Sequence, residues 1–160
     1  MENFAALCAA AAGARLARLN LYAAAKFRDG TYRKLGEALR GLVALDLTGA
    51  RELGSASLGA IARGSGRTLA ELNLTWCVGV DAAGGALLAR HWRRPRLLSL
   101  HGLARIDGGA LAALARHTAA AETLTTLDVS GCVSIPPEMR TREGLLGLFP
   151  RLGTFVVHTG

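Results

Sequence analysis

Three cysteines, four histidines and twelve carboxylates are the groups in this 160-residue chain that could ligate a metal, act as nucleophiles or move protons. Their spacing supports none of these chemistries. There is no C-x-x-C and no H-E-x-x-H, so no dedicated zinc site is expected. Neither Lys26 nor Lys34 stands in G-x-x-x-x-G-K-[ST], which excludes a phosphate-cradling P-loop. Gly64-Ser65-Gly66 follows a helical pattern, not a strand, and is too short for a dinucleotide fingerprint. No Ser and His fall with a carboxylate in a local nucleophile signature. The odd, sparse cysteine count excludes a disulfide-scaffolded secreted domain and points to a reducing, intracellular setting. The expectation is a protein that is not an enzyme, with no metal and no cofactor.

The elements that position these residues come from a repeat. The pattern L-x-x-L-x-L, with apolar substitutes, occurs six times. It runs Leu16/Leu19/Leu21, Leu42/Leu45/Leu47, Leu69/Leu72/Leu74, Pro95/Leu98/Leu100, Leu124/Leu127/Val129 and Leu152/Phe155/Val157. The starts at 16, 42, 69, 95, 124 and 152 are separated by 26, 27, 26, 29 and 28 residues. Counting each start as position 1, position 9 is Ala24, Ala50, Cys77, Leu103 and Cys132, and position 12 is apolar throughout: Phe27, Leu53, Val80, Ile106 and Ile135. Apolar residues at steps of three and four follow, such as Tyr32, Leu35 and Leu39, or Leu111 and Leu114, which share one helix face. Within the motif the period is two, so positions 4 and 6 point one way and positions 3, 5 and 7 the other. Each unit is therefore a short strand, a turn and a helix, and because it cannot bury its apolar side alone, the units must stack.

These residues carry a resemblance. "LAELNLTWCVGVDAAGGALLA" from Leu69, "HGLARIDGGALAALA" from His101 and "LTTLDVSGCVSI" from Leu124 resemble leucine-rich repeats of the cysteine-containing subclass, as in the repeat portions of F-box/LRR proteins. The resemblance covers residues 16–160 and implies an α/β leucine-rich repeat solenoid, a horseshoe with parallel strands on the concave face and helices on the convex face. Ala24, Ala50 and Leu103 depart from it, standing where the subclass usually has Cys or Asn. Residues 1–15, with Phe4, Leu7 and Cys8 at helical spacing, read as a half-repeat cap. The stretch Met1 to Arg28, Ala- and Arg-rich with one acid, Glu2, would also suit a transit peptide, but the repeat needs Leu16, Leu19 and Leu21 inside the fold. Cys77 and Cys132, two units apart, should lie about 10 Å from each other, too far for a disulfide, and are expected free and buried.

The same register exposes a stripe. Its expected partner-binding residues are Arg18, Asn20, Tyr22, Asp46, Thr48, Glu71, Asn73, Thr75, Trp76, Ser99, His101, Asp128 and Ser130. Tyr22 and Trp76 on a broad, rigid polar face suit a protein partner better than an ordinary solvated sheet does. His101 and His158 share this face with Asp128, but a full unit or more should separate them, which is too far for joint proton transfer. The last motif ends at Phe155-Val156-Val157, an apolar edge expected to be covered by another subunit unless the chain is a truncated piece of a longer one.

Net charge is +7, and Lys26 and Lys34 are the only lysines among 19 basic residues. Such an Arg- and Ala-rich composition resembles GC-rich codon bias, which weakens the high pI as a nucleic-acid signal. One basic run, His91-Trp92-Arg93-Arg94-Pro95-Arg96, marks an anionic contact at Arg93, Arg94 and Arg96. No apolar run approaches the roughly 18 residues of a membrane-spanning helix. The leading expectation is a non-catalytic protein–protein interaction module, a scaffold subunit docking into a larger assembly. The resemblance implies cytoplasmic, cytoskeletal (ciliary axonemal) or mitochondrial settings. The alternative is the substrate-recognition portion of an F-box/LRR ubiquitin ligase, although the 15 residues before the first motif cannot hold an F-box. RNA contact through Arg-rich helices ranks third, since eight aromatic residues leave little for base stacking.

Overall fold

Alternation decides where the strands lie. The computed structural model describes residues 15–24 and 26–156, together with Ala6 and Ala9. The cap residues Phe4, Leu7 and Cys8, and Val157 and His158 at the other end, lie outside the described residues. Six strands form one sheet: β1 (Arg18–Asn20), β2 (Ala44–Asp46), β3 (Glu71–Asn73), β4 (Leu97–Ser99), β5 (Thr126–Asp128) and β6 (Thr154–Val156). They pair in chain order, and every pairing is parallel. The register places Leu19, Leu45, Leu72, Leu98, Leu127 and Phe155 side by side. In β2 to β5 that central residue is buried while its two neighbours are half-exposed.

Parallel neighbours require crossovers, and helices supply them. They are α1 (Asp29–Ala38), α2 (Ser55–Ser65), α3 (Ala82–His91), α4 (Gly108–His117), the short α5 (Ala120–Thr123) and α6 (Arg142–Leu148). The extra turn α5 occupies the longest motif spacing, 29 residues between 95 and 124. Tyr32, Leu35, Leu58, Ile61, Leu88, Leu111, Leu114 and Leu145 face a continuous core against the strand leucines. Fully burying such a side chain contributes about 1.5–3 kcal/mol. Leu87 and Leu148 remain partly exposed.

Glycine sets how closely the helices approach. A Cβ on Gly64 would strike the carbonyl of Gly36 on the neighbouring helix, and one on Gly66 would strike that of His91. Between them, Ser65 donates its hydroxyl to the Leu39 carbonyl at 2.9 Å and accepts from the Leu42 N–H at 3.3 Å. Gly64-Ser65-Gly66 is a packing joint between repeats.

The degenerate motif at Pro95 is repaired from outside the pattern. Trp92, inside the basic run, points into the core, and its indole N–H donates to the Leu69 carbonyl at 2.7 Å. Among the described residues no helix is long and apolar enough to cross a membrane.

Candidate protein-binding surface

The strand ends are built by one recurring bond. A side-chain oxygen at motif position 5 accepts from the backbone N–H two residues on: Asn20 from Tyr22 (2.8 Å), Asp46 from Thr48 (2.8 Å), Asn73 from Thr75 (3.0 Å) and Asp128 from Ser130 (2.9 Å). Ser99, with a shorter side chain, reaches His101 only at 3.5 Å. These are Asx-type turns, in which the side chain stands in for a backbone carbonyl. The expected contact residues Asn20, Asp46, Asn73 and Asp128 therefore each spend one oxygen turning the chain. Ser130 must be corrected outright: it is buried, and its hydroxyl donates to Asp128, so it presents nothing to a partner.

Position 8 follows with left-handed backbone in five repeats: Ala23 (φ 56°), Gly49 (79°), Trp76 (60°), Gly102 (78°) and Gly131 (72°). A side chain there costs roughly 1–2 kcal/mol over glycine. Trp76 is nevertheless half exposed, at 51%. Its ring lies on Gly102, where a Cβ would meet Trp76 Cε3 at 2.5 Å, and meets the His101 ring edge-on at 5.1 Å between centroids. His101 Nδ1 in turn lies 3.5 Å from Asp128 Oδ2. His101 and Asp128 stand one unit apart as expected, but that distance is not too far for contact: adjacent repeats bring positions 7 and 5 together. Tyr22, 69% exposed, and the exposed Val78 and Val133 extend the apolar rim of the strand ends. The two valines both stand at motif position 10, a column not singled out in the sequence.

Further along the sheet, Arg18 reaches over Ala44 to Glu71 at 3.2 Å, an exposed pair of little energetic consequence. Beneath the pair an open hollow of ≈ 410 Å³ is lined by Asn20, Asp46, Asn73 and Leu97 among others. Thr75 and Ser99 share a hydrogen bond at 2.8 Å, and Thr48 is half-exposed beside them.

Cys77 and Cys132 are free and buried. Each thiol donates across the repeat interface, to the Leu47 and Leu100 carbonyls at 3.0 Å. Burial pushes Cys77 up to about 12 and Cys132 up to about 11. Reactive cysteines are those with depressed values, so these are structural donors.

On the opposite rim, where the strands begin, Arg93, Arg94 and Arg96 are exposed. Arg94 and Arg96 line a second hollow of ≈ 350 Å³ together with Arg67, which the local run did not reveal because it lies one repeat away. At the last strand, Phe155 and Val156 are half-buried, and Val157 lies outside the described residues. Among the described residues no group of three or more His, Cys, Asp or Glu converges as metal ligands.

No protein-family model matches the chain. Solved structures do resemble it. A chain of the yeast Rad7–Elc1 complex superposes with a TM-score of 0.74 at 19% identity over 90% of this chain, which spans 36% of the length of that one. The leiomodin-1 actin-binding site 2 superposes with a TM-score of 0.64 at 16% identity, covering 91% of this chain and 87% of the other. At these identities the likeness concerns architecture. The protein has a leucine-rich-repeat-like fold, with six parallel strands in one sheet alternating with helices.

Proposed function

We propose that this chain is a non-catalytic protein-binding module, a scaffold subunit that docks into a larger assembly through the open sheet face and the rim at the strand ends. The observation that carries this reading is Trp76. A bulky aromatic is kept at a left-handed position where three other repeats place glycine and one alanine, and about half of its surface stays in solvent. Backbone strain retained at an exposed aromatic is characteristic of recognition sites, and aromatic anchors dominate the energetics of protein interfaces. His101 packs against the anchor, and the exposed Tyr22, Val78 and Val133 follow the strands of their own repeats. The two structures of similar fold are a Rad7–Elc1 complex and an actin-binding site, both settings of contact between proteins.

The strain supplies its own test. Trp76→Gly relieves the left-handed cost while losing the contact with Gly102 and His101, so thermal stability should stay within about 1 kcal/mol of the parent. Quantitative cross-linking and affinity capture from native extract should show proteins held by the parent chain and lost with Trp76→Gly and Tyr22→Ser. A Trp76→Gly chain that folds normally and retains the whole bound set overturns the proposal.

A further inference from the structure

The rim where the strands begin carries charge that the fold does not use. Five of the six repeats place an arginine within the two positions before the motif: Arg15, Arg40, Arg67, Arg94 and Arg151, with Arg93 beside Arg94. Arg67 and Arg94 are brought together with Arg96 around the ≈ 350 Å³ hollow, over a floor that includes Leu69 and Ala70. None of these three guanidiniums has a hydrogen-bond or ion-pair partner among the described residues. Arg105, by contrast, donates to the Val78 and Gly79 carbonyls, and Arg140 to the Ile135 carbonyl.

Two structural explanations for the cluster fall short. Helices α2 and α3 end at this rim, and a helix C-terminus carries roughly half a negative charge. Two such ends offset about one of three guanidinium charges and leave about two uncompensated. Nor is the backbone there waiting for a strand, because the Ala70 N–H donates to the Val43 carbonyl, Arg96 to Ala70 and Thr125 to Arg96. Whatever binds must be recognised by side chains. The neighbouring imidazole of His91 is held below its ordinary value by burial and then by Arg63, Arg90 and Arg93, a sign of the positive field along this rim.

We infer that the Arg67–Arg94–Arg96 hollow takes carboxylates from an acidic peptide segment of a protein partner, at a site separate from the Trp76 surface. The inference rests on the protein-binding reading above and names a second contact within it. A peptide is favoured over a nucleic acid by what else the rim offers. Its exposed large apolar residue is Val43, next to Ala70 along the sheet, while the aromatic Trp92 is buried with its indole N–H already committed. An acidic segment bearing an aliphatic side chain can use both the guanidiniums and Val43. Among the described residues bases would find no exposed ring at this rim on which to stack.

The test uses the full chain and a synthetic Glu-rich peptide with interspersed leucines, its Gln counterpart, and an RNA homopolymer of equal charge. The Glu peptide should bind with an affinity that falls as salt rises, and the Gln peptide should bind at least tenfold more weakly. Arg67→Gln/Arg94→Gln/Arg96→Gln should weaken Glu-peptide binding at least tenfold, whereas Arg28→Gln/Arg33→Gln/Arg51→Gln, which removes equal charge elsewhere, should change it less than twofold. Equal losses from the two triple variants, no binding of the Glu peptide, or RNA displacing the peptide would each overturn the inference. Trp76→Gly separates the two readings: it should bind the Glu peptide as the parent does, even though it loses the partners of the other surface.

Discussion

The two rims of the sheet use charged side chains in opposite ways. Where the strands end, Asn20, Asp46, Asn73 and Asp128 turn the backbone, Asp81 and Asp107 cap α3 and α4, and Arg105 and Arg140 bind carbonyls. Where the strands begin, the guanidiniums of Arg67, Arg94 and Arg96 bind nothing among the described residues. The reason is the local backbone. A chain leaving a strand, turning and starting a helix exposes unpaired N–H groups, which carboxylates and amides satisfy. A chain leaving a helix for the next strand leaves carbonyls instead, and hydroxyls already bond several of them, Thr68 that of Leu42 and Thr123 that of Pro95, so the guanidiniums are left for a partner. At the strand ends polar groups serve the fold and the exposed aromatics are what remains for a partner; at the strand starts the arginines themselves remain.

Substitution should separate these roles, and the largest effect is expected next to the idle arginines. Trp92→Ala should destabilise by about 3–5 kcal/mol in chemical denaturation, because it opens a cavity and orphans the Leu69 carbonyl. Arg94→Gln, two residues away, should stay within about 0.5 kcal/mol. A comparable loss from Arg94→Gln would mean that the strand-start arginines are structural after all.

Alkali should produce the next largest effect. The Cys77 and Cys132 thiols are neutral in the fold up to about 12 and about 11, against an ordinary value of 9.0. Between pH 9 and those values the unfolded chain releases protons that the folded chain keeps, so stability falls as pH rises, by up to about 1.4 kcal/mol per pH unit for each thiol. Denaturation measured from pH 8 to 11 should show this slope. Cys77→Ala/Cys132→Ala should flatten it, and an unchanged slope would assign it to other groups such as Tyr32, which burial raises to about 12.

A smaller effect is expected at a helix cap. Asp81 accepts from the Ser55 hydroxyl at 2.7 Å and from the Ala83 N–H at 3.0 Å. The Ser55 bond is the main cause holding its carboxyl below the ordinary 3.8. Asp81→Ala should cost about 1 kcal/mol near neutrality. The carboxylate's share is present above pH 3.8 and lost as pH falls through the lowered folded value, so parent and variant should converge in strong acid. Equal differences at pH 7 and pH 2 would contradict a charge-dependent cap.

The strand register was legible because spacing and strand pairing report the same geometry. Leu45, Leu72, Leu98 and Leu127 align from the sequence period alone, and so do the buried positions of Cys77 and Cys132. The candidate surface was legible only in part. Tyr22 and Trp76 stand out by residue type, but Val78 and Val133 are visible only as a column read across repeats, and Ser130 looked like its half-exposed neighbours at position 7. Trp92 was hidden by its company, since three arginines within four residues make a tryptophan look like part of a surface cluster.

By itself the sequence determined the repeat, its strand–turn–helix unit and which side of each strand enters the core, because a period-two pattern of leucines has one way to be buried. Only the tertiary structure decided which polar groups are consumed by the fold. Contacts such as Ser55 to Asp81, His101 to Asp128 and Cys77 to Leu47 join residues 26 to 30 apart in the chain. Their partners are chosen by the stacking of adjacent coils, a distance no local pattern of residues encodes.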